Sequence, residues 1–210
     1  ALEEFDTLLT HNPIFRMRTE GVGRLSAEEA IRWGVTGPSL RASGVPYDLR
    51  RVHPYSGYET YDFEVPTRTE GDVYARYLVR VQEMRESLKI IRQAVEKLPP
   101  GPVKCDDPRV SLPPREKMLT QMDALIYHFL LTAEGLKVPP GEVYVAVESP
   151  RGELGYYIVS DGGPMPYRVH IRAPSFANVQ ALPLMVRGQL IADVVAVIAS
   201  IDIVLGEIDR

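Results

Sequence analysis

ESPRGELGYYIVSDGGPMPYRVHIRAPSF, Glu148 to Phe176, is the stretch whose reading decides the architecture of this chain. Two turn signals divide it, Pro150-Arg151-Gly152 and Asp161-Gly162-Gly163-Pro164, clusters of the kind that punctuate strands. Around them lie three short runs rich in β-branched and aromatic residues: Val143 to Val147 just upstream, Leu154 to Ser160, and Tyr167 to Arg172. Connections this short pair neighbouring runs antiparallel, so the stretch predicts a small three-stranded meander. On the third run Arg168, His170 and Arg172 alternate with Tyr167, Val169 and Ile171, which puts a short basic strip on one face. Such a strip is ordinarily solvated or interfacial; a proton-transfer role for His170 is the alternative.

Outside the meander the period is helical. Leu2, Phe5, Leu8 and Leu9 have helical spacing with no capping residue before them, as if the chain opened inside a helix. Ser26 with Glu29 three residues later is a capping-box arrangement, so a short helix should follow and stop near Gly34. Residues 34–69 show no sustained period but hold Tyr47, Tyr55, Tyr58, Tyr61 and Phe63, too many aromatics for a disordered linker. An ordered irregular segment is expected there. Tyr77, Val81, Met84, Leu88, Ile91, Val95 and Leu98 keep one apolar seam on a long helix from about Gly71 to Leu98, and that seam demands partner helices. After Pro99-Pro100-Gly101 and a connector with Cys105, Pro113 and Pro114 open a second helix with core face Met118, Met122, Leu125, Phe129 and Ala133, ending at Gly135.

Beyond the meander, Ser175 is placed as a helix cap, Pro183 as an interruption, and Leu190 to Leu205 as a last helix apolar on nearly every side. Its apolar stretch of about 16 residues holds Asp193 and Asp202, whereas a membrane span needs roughly 20 residues with few charges. It therefore reads as a buried core helix. Nine residues apart on one helix, the two aspartates point to opposite sides and need separate partners. Arg187 is the nearby cation for Asp193, while Asp202, Glu207 and Asp209 gather against Arg210 alone.

The fold expected is mainly α with a small antiparallel β-meander: a helical part over 1–138, the meander over 139–174, and a buried carboxyl-terminal helix over 175–210 that returns to the bundle core. At 210 residues and 45% hydrophobic the chain can bury a sizeable core. A net charge of −4 excludes the basic excess of a dedicated nucleic-acid binder. The single cysteine rules out an internal disulfide and any multi-cysteine metal site within the chain. His11, His53, His128 and His170 lack metal-ligand spacing, and His128 reads as an interior or boundary histidine on the second helix. Neither Gly21-Val22-Gly23 nor Asp161-Gly162-Gly163 is a nucleotide fingerprint.

The Glu148–Phe176 stretch, together with SIDIVLGEIDR (Ser200 to Arg210), resembles the D-type, hydrogenase-like large subunit of the proton-pumping NADH:quinone oxidoreductase, respiratory complex I. Three further segments match in the same order: RMRTEGVGRLSAEEA (Arg16 to Ala30), AIRWGVTGPSLRASGVPYDLRR (Ala30 to Arg51) and YETYDFEVPTRTEGDVYARYLVRVQEMRES (Tyr58 to Ser87). The resemblance implies the carboxyl-terminal part of a longer polypeptide and a helical bundle similar to the nickel-iron hydrogenase large subunit. It implies a peripheral place on the cytoplasmic face of a bacterial plasma membrane, or the matrix side in mitochondria. It also implies quinone as substrate, an iron-sulfur cluster in an adjacent subunit, flavin and nicotinamide binding elsewhere in the complex, a membrane arm as partner, and no cofactor held by this chain.

Hydrogenases carry Asp-Pro-Cys-x-x-Cys at the carboxyl end; laid on Asp202-Ile203-Val204-Leu205-Gly206-Glu207, the pattern keeps the aspartate and replaces both thiolates by Val204 and Glu207. Soft-ligand chemistry for nickel and iron is lost with them. Asp202, Val204 and Glu207 become candidates for the wall of a quinone cavity in the vacated site. Arg151, in a Pro-Arg-Gly shared with hydrogenases, is expected to face Glu207 or Asp202, with an ordinary turn salt bridge as its other reading. Arg41, matching an arginine of the family, is assigned either to the cavity or to an intersubunit contact. The resemblance implies that the histidine and tyrosine which the family uses at the quinone head group belong to the amino-terminal half of the longer polypeptide. An equivalent subunit of an energy-converting complex with another electron donor, or a non-catalytic scaffold, remains the alternative.

Overall fold

A computed structural model describes residues 2–209, about half of them helical. The meander is present: β1 (Gly141–Ser149), β2 (Gly152–Ser160) and β3 (Arg168–Arg172) pair in the order β1-β2-β3 as an antiparallel sheet. Upstream, α1 (Leu2–Phe5) runs into a π-helical turn over Asp6–Thr10, and α2 (Pro13–Thr19) is capped by Asn12, whose side chain accepts from the Ile14 and Phe15 nitrogens. The capping box forms as read: Ser26 accepts from Glu29 N, Glu29 accepts from Ser26 N, and α3 (Ala27–Arg32) ends before Gly34. The irregular 34–69 segment holds only single turns, α4 (Pro38–Arg41), α5 (Leu49–Val52) and a 3-10 turn over Tyr58–Thr60. Its aromatics do order it, through edge contacts of Tyr58 with Tyr55, Tyr61 and Phe63.

The chain forms two compact units. The larger comprises residues up to Lys97, Ala146–Gly155 and residues from Arg172 on. Its core joins Leu25, Ala30, Val35 and Leu40 to Val73, Ala181, Met185, Val197 and Ile201. The long helix α6 (Val73–Glu96) starts at Asp72, whose carboxylate caps Ala75 N. Its seam is corrected by the structure. Val81 is buried, but Met84, Leu88, Ile91, Val95 and Leu98 are exposed. The buried face is instead Val73, Ala75, Arg76, Val79, Val81 and Glu86, because α2, α4 and α11 (Ile191–Ile201) pack on small side chains in its first half.

Two charges on that face are buried because their hydrogen bonds are made, the condition under which such burial is tolerated. Arg76 donates to Ser200 Oγ and to the Gly71 and Gly23 carbonyls, each at 2.9 Å. Burial, helped by the Arg80 charge, lowers its pKa to about 10. Glu86 accepts from Glu64 N at 3.0 Å and pairs with Lys89 at 2.8 Å.

The smaller unit comprises Leu98–Val145 and Tyr156–Ile171. The second predicted helix is split into α7 (Arg115–Thr120) and α8 (Met122–Ala133), since Gln121 takes an extended conformation at φ −127°, ψ 125°. Met122, Leu125 and Phe129 of its expected core face are exposed, and Ala124 is the residue of α8 that is buried. His128 is half-buried on α8.

In the carboxyl-terminal part of the larger unit, α9 (Pro174–Gln180) begins one residue before Ser175, so Ser175 is not its cap and its hydroxyl is used elsewhere. Pro183 sits in the first turn of α10 (Leu182–Val186). The last predicted helix is also shorter than read: α11 stops at Ile201, and α12 (Leu205–Ile208) is separate. Nor is α11 apolar-buried all round, for Val197 and Ile201 are buried while Ile191 and Val195 are exposed. Asp193 accepts from Leu190 N at 3.2 Å and pairs with Arg18 at 2.7 Å, not with Arg187. Among the described residues no helix is long and apolar enough to cross a membrane.

Candidate functional site

The turn between β1 and β2 is seated by two glycines. Gly37 and Gly152 both have positive φ, +71° and +135°, and a β-carbon on Gly152 would lie 2.4 Å from Thr36 Oγ1. Thr36 Oγ1 accepts from Glu153 N at 3.1 Å, and Asn178 bridges the two strands of chain: its Oδ1 accepts from Thr36 N at 3.2 Å and its Nδ2 donates to the Arg151 carbonyl at 3.0 Å. Thus held, Arg151 reaches the end of α11. Its Nε donates to the Asp202 carbonyl and pairs with Asp202 Oδ2, both at 3.2 Å. Asp202 itself caps α11 in the left-handed region, φ 57° and ψ 54°.

A cleft of about 370 Å3 opens beside this pair, lined by Arg41, Arg50, Tyr58, Arg80, Glu83, Met84, Glu148, Pro150 and Asp202 among others. Arg41 is the most enclosed of these, 1% exposed, with Nε on Glu83 at 2.6 Å, one terminal nitrogen on Glu148 at 2.8 Å and on the Tyr47 carbonyl at 2.8 Å, and Asp48 at 3.9 Å. Burial works against its charge, but Glu83 and Glu148 outweigh burial and hold its pKa above the ordinary arginine value. Asp48 is buried yet stays below the usual carboxylate range, because Arg50 grips both its oxygens, at 3.0 and 2.6 Å. Burial pushes Glu148 the other way, above its ordinary value, against the pull of Arg41.

Past Asp202, the terminal segment is tied down by Ser175. Its hydroxyl donates to Glu207 Oε2 at 2.5 Å and accepts from Val204 N at 3.3 Å, while Ser175 N also donates to Glu207 Oε2 at 3.3 Å. The expected gathering of three carboxylates against Arg210 falls on a residue outside the described ones; among the described residues Asp202 pairs with Arg151 and Glu207 accepts from Ser175.

The model of the family described as "Respiratory-chain NADH dehydrogenase, 49 Kd subunit" matches residues 1–210. This chain belongs to that family. Across its full length it is 62% identical to a D-type NADH-quinone oxidoreductase subunit of Koribacter versatilis, of which it covers 52%. It is likewise 59% identical to a D-type subunit of the same oxidoreductase in Solibacter usitatus and 57% identical to NADH-quinone oxidoreductase subunit 4 of Thermus thermophilus, covering 51% of each. The chain thus spans about half the length of these relatives.

Among the residues singled out in this family member from sequence, Asp202 and Arg41 line one cleft and Arg151 pairs with Asp202 beside it, whereas Val204 and Glu207 follow within five residues of Asp202 but are not among the lining residues. His170 does not join them; it is exposed on β3 in the smaller unit. Arg172 of the same strand donates to the Glu153 and Gly34 carbonyls at 2.6 and 3.1 Å. Sequence reading missed Arg80, Glu83 and Glu148. Glu83 and Arg80 do lie three residues apart on α6, a spacing that shares one helix face, but the apolar seam drew attention to another face. Among the described residues no group of three or more His, Cys, Asp or Glu could hold a metal.

Proposed function

We propose that this chain forms part of the hydrogenase-like subunit of a respiratory NADH:quinone oxidoreductase and contributes a wall of its quinone chamber. The Arg151–Asp202 pair at the cleft carries the reading, because it places the Pro-Arg-Gly turn against the aspartate of the terminal motif, the two places where a hydrogenase-like large subunit would surround its metal. With Val204 and Glu207 in place of thiolates, that pocket offers an apolar wall and oxygen donors instead of soft metal ligands. Such a lining suits a planar quinone head group, whose ring needs apolar contact and whose oxygens need hydrogen-bond donors or a proton source. Family membership and relatives bearing the name NADH-quinone oxidoreductase support the same assignment.

In this reading the electrons arrive from an iron-sulfur cluster of an adjacent subunit, flavin and nicotinamide sit elsewhere in the complex, and this chain holds no cofactor of its own. The subunit lies peripherally on the membrane and relays quinone reduction toward proton transport in the membrane arm. Asp202 belongs to the polar network of the chamber, Val204 to its apolar wall, and Arg151 and Arg41 fix the carboxylates around it. Asp202→Ala and Val204→Met in the assembled complex test this: quinone turnover and inhibitor sensitivity should both change. Normal turnover and normal inhibitor response in both variants, with the complex fully assembled, would remove Asp202 and Val204 from the chamber.

A further inference from the structure

Arg80 differs from the other arginines in and beside the cleft. Arg41, Arg50 and Arg151 each hold a carboxylate at 3.2 Å or closer. Among the described residues no carboxylate comes within 4.0 Å of the Arg80 guanidinium, which donates only to two carbonyls, Arg76 at 3.4 Å and Ile201 at 3.2 Å. Its Nε–H is buried without a hydrogen-bond partner. Arg80 is half-buried, and a cation whose Nε–H is buried without a partner stabilises a fold less well than an apolar side chain of similar volume, so it calls for an explanation in what it holds.

What it holds is the end of α11. The Ile201 carbonyl is among the last of that helix, where no amide of the next turn is available and where positive charge meets the negative end of the helix dipole. One residue on, Asp202 takes its left-handed conformation, and its carbonyl accepts from Arg151. Two successive carbonyls are therefore gripped by two guanidinium groups, one from α6 and one from the β1–β2 turn. Between them the backbone turns the Asp202 carboxylate to the cleft, and Val204 and Glu207 follow from the same turn.

We propose that Arg80 is a positioning residue for Asp202: by holding the Ile201 carbonyl it sets the left-handed turn that delivers the Asp202 carboxylate to the cleft. The functional part of this inference rests on the quinone-chamber reading; the positioning part does not.

The test uses the assembled complex carrying Arg80→Met, Arg80→Lys, Asp202→Asn and the Arg80→Met/Asp202→Asn pair. Two measurements are made on each, amide exchange across 201–208 and steady-state kinetics with a short-chain quinone. Arg80→Met should speed exchange at Asp202 to Leu205 at least tenfold, while the middle of α6 is unchanged, and Arg80→Lys should restore part of the protection. In the kinetics, each single variant should raise KM for quinone severalfold with a smaller change in kcat, and the pair should do no more than the worse single, as coupled residues do. Unchanged exchange at 202–205 in Arg80→Met overturns the inference whatever the kinetics show. Independent, multiplying effects on KM also overturn it. Faster exchange with normal quinone kinetics in every variant upholds the positioning role and defeats the quinone-chamber reading instead.

Discussion

Gly37 and Gly152 meet backbone against backbone: a β-carbon on Gly37 would lie 2.5 Å from the Gly152 α-carbon, and one on Gly152 would lie 2.9 Å from the Gly37 nitrogen. Neither position has room for a methyl group, and both have a φ that disfavours one. Gly37→Ala and Gly152→Ala should each destabilise the chain by about 2–4 kcal/mol, the sum of a left-handed penalty and an overpacking cost. Urea denaturation measures this; losses under about 1 kcal/mol would mean that the contact yields easily.

Arg41 tests the charge arrangement of the cleft. Arg41→Met strands Glu83 and Glu148 in a buried setting, and removing one partner of a buried pair costs about 3–5 kcal/mol. Arg41→Lys should recover only part of this, because an ammonium cannot serve Glu83 from Nε and Glu148 from a terminal nitrogen at once. Thermal denaturation of the three proteins should rank them native, Lys, Met.

Asp48 and Glu148 should respond to pH with opposite signs. The folded pKa of Asp48 lies below 3.8, so its stabilisation is present above about pH 4 and is lost as pH falls through the folded value. Glu148 is raised above 4.5, so the stabilisation tied to its protonated form is present at low pH and is lost as pH rises through the folded value. The deficit of Asp48→Asn relative to the native chain should therefore shrink below about pH 4, whereas that of Glu148→Gln should shrink as pH rises toward 7. Parallel stability curves for the two variants would contradict the assigned directions.

Asp202 separates backbone cost from side-chain function. Glycine accepts the left-handed region and alanine does not, by about 1 kcal/mol. Asp202→Gly should thus be more stable than Asp202→Ala in denaturation although both lose the Arg151 pair. Equal stabilities would show that the turn relaxes once the carboxylate is gone.

The seam of α6 gives a fifth comparison of stabilities. Leu88→Glu and Ile91→Glu fall on its exposed half and should change the stability of the chain by less than about 0.5 kcal/mol, while Val79→Asp, 1% exposed, should cost more than about 3 kcal/mol. A large loss at Leu88 would restore the heptad face to the core.

What could be read in the residues, and what could not, divides by sequence distance. The Ser26–Glu29 capping box, the extent of α6 and the meander rest on signals within a few positions, and all three are present. The partner of Asp193 is Arg18, 175 positions away, and nearness in sequence pointed to Arg187 instead. Arg76 and Glu86 sit on the buried face of α6 because carbonyls and amides from other segments meet them there, something that no helical periodicity encodes. The breaks at Gln121 and Asp202 carry neither glycine nor proline, so nothing local announced them. For the site, the Pro-Arg-Gly turn and the terminal motif named Arg151 with Asp202 or Glu207 as its partner and the fold selected Asp202, but the Arg80, Glu83 and Glu148 lining came only with the fold.

Asn178 has a consequence for the ageing of the molecule. One amide gives a proton to the Arg151 carbonyl and takes one from Thr36 N, so its two ends must differ in polarity. Hydrolysis to aspartate would leave the chain length, and almost the shape, unaltered while setting a carboxylate oxygen against a carbonyl oxygen at 3.0 Å. The loop bearing Gly37 and the turn bearing Arg151 would then be pushed apart by a change of a single atom, nitrogen to oxygen. A spontaneous chemical lesion remote from Asp202 in sequence can in this way unseat the arginine that faces it.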